Sequence, residues 1–547
     1  MLTEIEREEL AELLFPNVKD PKEYIKQYPE RKLPQGAEVT RFAPSPTGFV
    51  HLGGIYASLI SKKLADQTKG IFVLRIEDTD KTREIENGVE QIVRSLIKYG
   101  LTPQEGILPN SEIQGEYGPY MQSQRLDIYK SFAKRLVLEG NAYPCFMSPE
   151  DLEALRKDQE KLGNRIGYYG KYAKWRDASM EDIKKALEEG KDFVIRLRSN
   201  GDFKKKFNFK DLIKGSVTFP ENDFDSVLLK SDGYPVYHFA HPIDDVLMGT
   251  TLVTRGDEWL SSVPLHKELF DIFGWEMPQY AHISPLMKVD EETGNKRKLS
   301  KRKDPEANAS FYIEKGYPIQ GIMEYLLNIA NSNFYDWRLQ NPEKDINDFT
   351  FKLEKINKSG ALFDFVKFEN VCKDILSKYS AEEIYTLALE WSREFNEDIF
   401  KKLTENKEYC ISIFNIERGE GKIRKDIAKM EDIREQFEIF FEDTFKELTK
   451  PDIKDLDILK RYLEVFDIKD SSQEWFEKIK KVAEEFNYAT DRRDFEENPK
   501  DYKGKVGDVA MIIRLAVTKK TKTPDLYQIM QVLGEDEVKK RISDCIG

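Results

Sequence analysis

The sequence predicts an α/β fold in which a parallel sheet is divided by an inserted α/β module and followed by an all-helical region. Three observations carry this. A β-loop-α-β unit opens at Glu38, with strand-like VTRF, a Pro/Gly-rich loop, a helical stretch from about Leu52 to Lys69, and the strand-like FVLRIE. A β-α-β unit of this kind favours parallel pairing, with ligands gathering at the carboxyl ends of the strands. The rhythm is lost between about Glu116 and Phe224, then returns in SVLLKSDGYPVYHFAH and TLVTRGDEWL. Beyond Pro305 the strand signal fades, and amphipathic segments rich in Glu, Lys, Leu, Ile and Phe run to the end.

Taken in order, residues 1–37 read as an amphipathic helical extension, with Leu10, Leu13, Leu14 and Phe15 on one stripe and breaks at Pro16 and Pro21. Residues 38–115 form the first half of the sheet domain and 116–224 the insertion, with a helix over Pro149 to Asp158 and a strand in FVIRLRS. Residues 225–290 form the second half, with a helix near Val263 to Phe273 and a strand in HISPLMKV. A basic loop and its following segment occupy 291–375, and the helical region 376–547. No internal repeat or low-complexity tract interrupts this order, and 547 residues suit several packed modules better than one core.

Composition narrows the function. No apolar run approaches the roughly 18 residues of a membrane span, and the first residues alternate acids, bases and leucines, so the chain is expected in the cytoplasm with no membrane partner. Cys145, Cys372, Cys410 and Cys545 lie far apart, without disulfide or metal-ligand spacing. A net charge of -13 opposes indiscriminate nucleic-acid binding, so any nucleic acid must meet local basic patches. Two exist: Lys296 to Lys303 (KRKLSKRK), with six cations in eight residues, and Lys204 to Lys210 (KKKFNFK), which interleaves Phe207 and Phe209 with lysines and reads first as a solvated face.

The loop Arg41 to Gly54 (RFAPSPTGFVHLGG) joins a strand to a helix, and its prolines and glycines let main chain approach a ligand at the helix's positive end. Phosphate suits that setting, with His51 as ring donor and the Ser45 and Thr47 hydroxyls beside it. A plain turn in which His51 caps the helix is the competing reading. The second loop, KLSKR at Lys298 to Arg302, weighs for the anion: crowded like charges cost folding energy until an anion arrives, and Gly294 upstream suggests mobility.

With RFAPSPTG, FVLRIEDTD, GPYMQSQR, LLKSDGYPVYHFAHPIDDVLMG, TRGDEWL and KLSKRK in this order, the chain resembles the bacterial glutamyl-tRNA synthetases, class I aminoacyl-tRNA synthetases whose HIGH and KMSKS signatures correspond to HLGG and KLSKR. The resemblance spans Glu38 to about Asp364. It implies a Rossmann-like catalytic domain, an acceptor-binding insertion and a helical anticodon-binding region. The implied activity is ligation of L-glutamate to tRNA(Glu) through glutamyl-adenylate, with tRNA(Gln) left open as a second acceptor, ATP with Mg2+ as cofactor and a monomeric state.

By that resemblance His51, Lys298 and Lys301 are the catalytic residues. Ser45, Thr47, Gly48, Gly53, Gly54 and Ser300 join them around ATP, and Arg41, Ala43, Ser45, Glu77, Tyr237 and Arg255 surround glutamate. Arg41 is the side-chain carboxylate clamp and Glu77 the ammonium partner; a cross-strand Arg41–Glu77 ion pair is the structural alternative. His241 stands where the family often has asparagine and reads as an ordinary buried histidine. Cys145-Phe-Met147 replaces the Cys-x-Cys of zinc-holding members, and YYGKYAKWRD lacks a further cysteine, so no structural zinc is expected. Near the end, Ile513 and Lys519 stand where proline and glycine are expected, and Arg514 either faces the anticodon stem or solvates a helix. A glutaminyl-type enzyme is disfavoured by the helical carboxyl half, a truncated paralogue by length, and a non-catalytic regulator by the intact signatures. The resemblance also implies that glutamate activation waits for tRNA.

Overall fold

The computed structural model describes residues 2–419 and 423–547, less the side chain of residue 492. The chain divides into two compact units. One comprises Met1–Phe311 and Met323–Asp364, the other Tyr312–Ile322 and Phe365–Gly547.

In the first unit, Val39–Phe42 pairs in parallel with Ile71–Leu74, with Val39 opposite Ile71 and Phe42 opposite Leu74. Both strands are buried along nearly their whole length, as a parallel strand covered on both faces requires. The helix Leu52–Gln67 connects them and buries Ile55, Leu59, Ile60 and Leu64. Its exit is tight: a Cβ at Gly70 would lie 1.9 Å from the Glu38 carbonyl oxygen, so only glycine fits there. A second parallel pair, Leu252–Gly256 with Gln279–Ile283, sets Arg255 opposite His282. The Thr251 amide donates to the Val39 carbonyl (3.0 Å) and the Val39 amide to the Thr251 hydroxyl (2.8 Å), which brings the two pairs side by side.

Between the pairs lie helices Leu126–Leu138, Pro149–Lys161 and Met180–Glu188, the hairpin Lys206–Asp211/Gly215–Pro220, and an antiparallel sheet of Ala142–Cys145, Val194–Leu197 and Val227–Leu229. Val227–Leu229, just beyond residue 224, pairs antiparallel with Val194–Leu197 in this sheet. The amino-terminal helix Glu4–Leu14 carries a Thr3/Glu6 capping box and packs on Leu126–Leu138. Leu10, Ala11 and Phe15 face inward, whereas Leu13 is 49% exposed, so the buried stripe is rotated from the one expected. HISPLMKV is two strands rather than one. Leu286–Val289 turns back through Asp290, which accepts from the Glu292 and Thr293 amides, into Lys296–Lys298, and Gly294 supplies a positive φ for that turn.

The second unit is helical. Ser380/Glu383 and Ser471/Glu474 capping boxes start its two longest helices, Ala381–Phe395 and Ser472–Glu485. Their apolar faces belong to separate cores, one around Ile384, Leu403, Phe414 and Phe437, the other around Leu459, Tyr462, Ile479, Ile513 and Val517. Phe365–Leu376, which the sequence assigns to the preceding segment, groups with this unit. No described helix is long and apolar enough to cross a membrane.

Candidate active site

A cavity of about 440 Å³ opens at the carboxyl ends of the two parallel strand pairs in the first unit. It is lined by Arg41, Ala43, Ser45, His51, Gly53, Gly54, Glu77, Tyr237, Arg255 and Lys298, gathering ten of the fourteen residues expected from the sequence. Thr47, Gly48, Ser300 and Lys301 do not line it. Lys301 reaches back to donate to the Phe49 carbonyl, and the Ser300 amide donates to Asp304 (2.9 Å).

His51 is the N-cap of Leu52–Gln67, and its Nδ1 accepts from the Gly53 amide at 2.8 Å. A side chain at Gly53 would come within 3.0 Å of that nitrogen, so the glycine keeps the cap open. Burial, then the nearby Lys301 charge, lowers the His51 pKa to about 4. The ring is therefore neutral at pH 7 with Nδ1 occupied as acceptor, which leaves its proton on Nε2. Capping and proton donation, set against each other on sequence grounds, are compatible because they use different nitrogens.

Beneath the cavity floor lies a network of buried charges. Arg41 donates from Nη1 to the Thr254 carbonyl (3.1 Å), and its Nε lies 3.4 Å from Asp245. The Arg41–Glu77 ion pair, the structural alternative for these two residues, does not form; Glu77 instead pairs with Arg75 at 3.4 Å, and Arg75 also grips Asp245 at 2.6 Å. Both arginines turn to Asp245 because it sits between them on the helix Tyr237–Leu247. Asp244 is held by Arg125 (2.8 Å), Gln122 (2.9 Å) and the Tyr129 hydroxyl (2.8 Å). Burial would raise Asp245, but Arg41, Arg75 and His241 hold it well below the usual carboxylate range. At Glu77 burial wins and lifts the carboxyl to about 7. A ligand ammonium beside it would restore its ionised form. His241 is fully buried between Asp245 (2.8 Å) and the Tyr280 hydroxyl (2.9 Å), and burial lowers its pKa to about 3; it does not line the cavity.

On the opposite wall Arg255 donates from Nε to His282 Nε2 (3.0 Å) and from Nη1 to the Tyr237 hydroxyl (3.0 Å), with His266 Nδ1 at 3.3 Å and the Trp259 carbonyl at 3.2 Å. Every arginine N–H is a donor, so both histidine nitrogens facing it are acceptors. All five histidines of the chain thus stand in or next to this wall and the His51 cap. Sequence reasoning missed Phe42, Tyr56, Ala57, Thr254, Gly256, Glu258, Trp259 and Ile283 to Leu286, which complete the lining. TRGDEWL reads as a family motif and HISPLMKV as a strand, but nothing in them marks which side chains turn inward.

The basic loop is less starved of anions than its sequence suggests. Arg297 makes a bidentate pair with Asp304 (2.6 and 2.7 Å) and a bond to Asp290 (2.9 Å), and Lys288 binds Glu306. Lys298 extends to the cavity, 4.0 Å from Glu258. In KKKFNFK, Lys206, Asn208 and Lys210 point outward and Phe207 and Phe209 pack inward, the alternation of a hairpin with one wet face. Cys145 lies against the Tyr168 hydroxyl at 3.4 Å. Among the described residues no group of three or more His, Cys, Asp or Glu is placed to hold a metal ion.

The cavity at the ends of the parallel strands is thus lined by cations and lies next to a capped, glycine-rich helix start. Residues 38–361 match the family described as tRNA synthetases class I (E and Q), catalytic domain, and residues 415–546 match an anticodon binding domain. The chain is 48% identical over 547 residues to the glutamate–tRNA ligase of Clostridium perfringens (strain 13 / Type A), covering 98% of this chain and 100% of the relative. It is 47% identical to that of Acetivibrio thermocellus, covering 97% and 98%. Among solved structures, a glutamate tRNA ligase from Elizabethkingia meningosepticum in complex with its amino acid superposes with a TM-score of 0.73 at 29% identity, over 93% of this chain and 99% of that one. The chain belongs to the glutamate–tRNA ligase family of class I aminoacyl-tRNA synthetases.

Proposed function

We propose that the cavity is where L-glutamate and ATP react to form glutamyl-adenylate, whose glutamyl group then passes to the 3'-terminal adenosine of tRNA(Glu). The observation that carries this reading is the pairing of receptors in one space. Arg41 and Arg255 offer guanidinium forks for carboxylates and Glu77 a carboxylate for the ammonium, while His51, Gly53, Gly54 and Lys298 line the same cavity. The two parallel pairs are read as halves of one Rossmann-like sheet, with 116–224 as the acceptor-binding insertion, 291–375 as the loop and stem-contact segment, and 376–547 as the anticodon-binding region.

In this reading an oxygen of the glutamate α-carboxylate attacks the α-phosphorus of ATP, the bond to the β-phosphate oxygen breaks, and pyrophosphate leaves. His51 Nε2–H and Lys298 donate to phosphate oxygens where negative charge spreads, and the Gly53 and Gly54 backbone lets the nucleotide approach. Ser45, Thr47, Gly48 and Ser300 complete the nucleotide's surroundings, and Ala43 and Tyr237 those of the amino acid. Lys301 joins once it releases the Phe49 carbonyl. A ribose hydroxyl then attacks the acyl carbon, and AMP departs. Catalysis by position and charge needs no protein nucleophile. Mg2+ would come with the nucleotide and shield the charge of the departing pyrophosphate; among the described residues no group of three or more His, Cys, Asp or Glu is placed to hold a metal ion.

Labelled glutamate offered with purified tRNA(Glu) and tRNA(Gln) in separate reactions tests the reading. Charging of tRNA(Glu) that falls at least a hundredfold in Lys301→Ala supports it, on the scale set by loss of one transition-state donor; no charging of either tRNA overturns it. Tandem pyrophosphate exchange with and without tRNA tests the further proposal that activation requires tRNA, which brisk exchange without tRNA would sink. The monomeric state is part of the same proposal and is checked by light scattering.

A further inference from the structure

The hairpin Lys206–Asp211/Gly215–Pro220 has no part in the chemistry above, yet the last residue of its first strand lies one side chain away from Arg255. Asp211 is 2% exposed. Its Oδ1 accepts from the Ile213 (2.9 Å) and Lys214 (2.7 Å) amides, closing the hairpin turn. Its Oδ2 accepts from His282 Nδ1 (2.6 Å) and from the His282 amide (3.1 Å). His282, fully buried on Gln279–Ile283, then presents Nε2 to Arg255 Nε at 3.0 Å across the parallel register that sets these two residues opposite each other. Phe209 braces the same arrangement, its ring 5.7 Å from Tyr280 and 6.4 Å from His282. Lys214 ties the turn to the strand ends through Asp257 and the Ser284 hydroxyl.

We propose that Asp211 is a positioning residue for glutamate binding: it fixes the tautomer of His282 so that His282 can accept from, and so orient, Arg255. The logic is that of donors and acceptors. Arg255 can only donate, so His282 Nε2 must be a lone pair, so the ring proton must sit on Nδ1, so an obligate acceptor must face Nδ1. A carboxylate accepts on both oxygens and so serves the turn amides and Nδ1 together, whereas an amide has only one oxygen to offer. In Asp211→Asn the Ile213 and Lys214 amides claim the one remaining oxygen, which turns the NH2 toward His282. The ring must then accept at Nδ1 and carry its proton on Nε2, where it meets the Arg255 Nε–H donor to donor. The volume of the side chain is unchanged and the turn stays capped; the His282 amide loses its acceptor together with Nδ1, so the substitution acts on the hydrogen bonds to His282 rather than on packing.

The inference rests on the proposed glutamate site, and the test separates the two. Steady-state aminoacylation is run on wild type, Asp211→Asn, His282→Asn and the double variant, with thermal unfolding of each and, for wild type and Asp211→Asn, 15N chemical shifts of the labelled histidine rings. The expected result is a KM for glutamate raised about tenfold or more in each single variant with the KM for ATP held within about twofold, the effect of losing a fork oriented for one substrate. The double variant should be no worse than the worse single one, because both substitutions cut the same chain, and the His282 shifts should exchange an Nδ1–H ring for an Nε2–H one. Should Asp211→Asn fold poorly, His282→Asn, which leaves Asp211 in place, carries the kinetic test alone. Wild-type charging with an unchanged glutamate KM in both variants, or additive losses spread equally over glutamate and ATP, overturns the positioning role while leaving the function standing. Absence of glutamate charging by wild type overturns both.

Discussion

At His51 the two ring nitrogens can meet different demands, since Nδ1 caps the helix through the Gly53 amide and leaves the ring proton on Nε2, the donor proposed for ATP phosphate. Asparagine is a good N-cap but has no donor at the reach of Nε2. His51→Asn is thus expected to keep the melting temperature within a few degrees while adenylate formation, followed by pyrophosphate exchange, falls about a hundred- to a thousandfold. Glu77 gives a pH signature. Burial lifts its carboxyl to about 7, whereas His51 and His238 are held down to about 4, so Glu77 is the pocket group that titrates near neutrality. An ammonium ligand needs it ionised, so the KM for glutamate should climb as pH falls below about 7, approaching tenfold per unit, and Glu77→Gln should be poor but flat. For folding the sign is reversed. A carboxyl raised on folding stabilises most below its unfolded value of 4.5, and that contribution disappears as pH rises through about 7.

At the level of single elements, the end of the helix Val506–Thr518 shows how one substitution is accommodated. Lys519 sits at φ +57° in the left-handed region, the conformation that explains why glycine is expected there. Its Nζ donates to the Phe445 (2.9 Å) and Leu448 (3.2 Å) carbonyls and lies over the Phe445 ring. Comparing Lys519→Ala with Lys519→Gly removes those bonds equally and isolates the backbone; urea unfolding should find alanine less stable by about 1 kcal/mol. Ile513 is fully buried in the core that Leu459 and Tyr462 share, so it serves packing. Arg514, expected to face RNA or solvent, instead ties the helix to the Thr523 and Pro524 carbonyls before the helix Leu526–Leu533.

Across the first unit as a whole, the amino-terminal extension is structural fabric rather than a loose appendage. Ser131 donates to the Lys19 carbonyl (2.7 Å), Tyr28 accepts from Arg125 (2.9 Å), and Arg31 makes a bidentate pair with Glu105 (2.7 and 2.8 Å) while lying over the Tyr117 ring. Arg125 in turn holds Asp244, so the extension ends one residue away from the charge network under the cavity. Deleting residues 1–37 would expose the face of Leu126–Leu138 that Leu10, Ala11 and Phe15 cover, at about 1.5–3 kcal/mol for each large apolar side chain. Differential scanning fluorimetry should show a drop of several degrees with partial aggregation, and an unchanged profile would mean that the extension does not brace the unit.

The order of elements, the two loops proposed to handle phosphate, and ten of the residues lining the cavity were legible in the sequence, because local patterning and motif chemistry are short-range properties. KLSKR and HLGG declare themselves by composition, and Leu52–Gln67 by its apolar spacing. What only the tertiary structure decided is pairing between distant segments. Arg41 chooses Asp245 over Glu77, Asp304 already neutralises Arg297, His241 lies below the floor and not in the cavity, and a hairpin turn reaches Arg255 through His282. Each outcome depends on which of several nearby charges is closest once the chain is packed, and burial enlarges those differences. That is a matter of distance in space, which spacing along the chain does not encode.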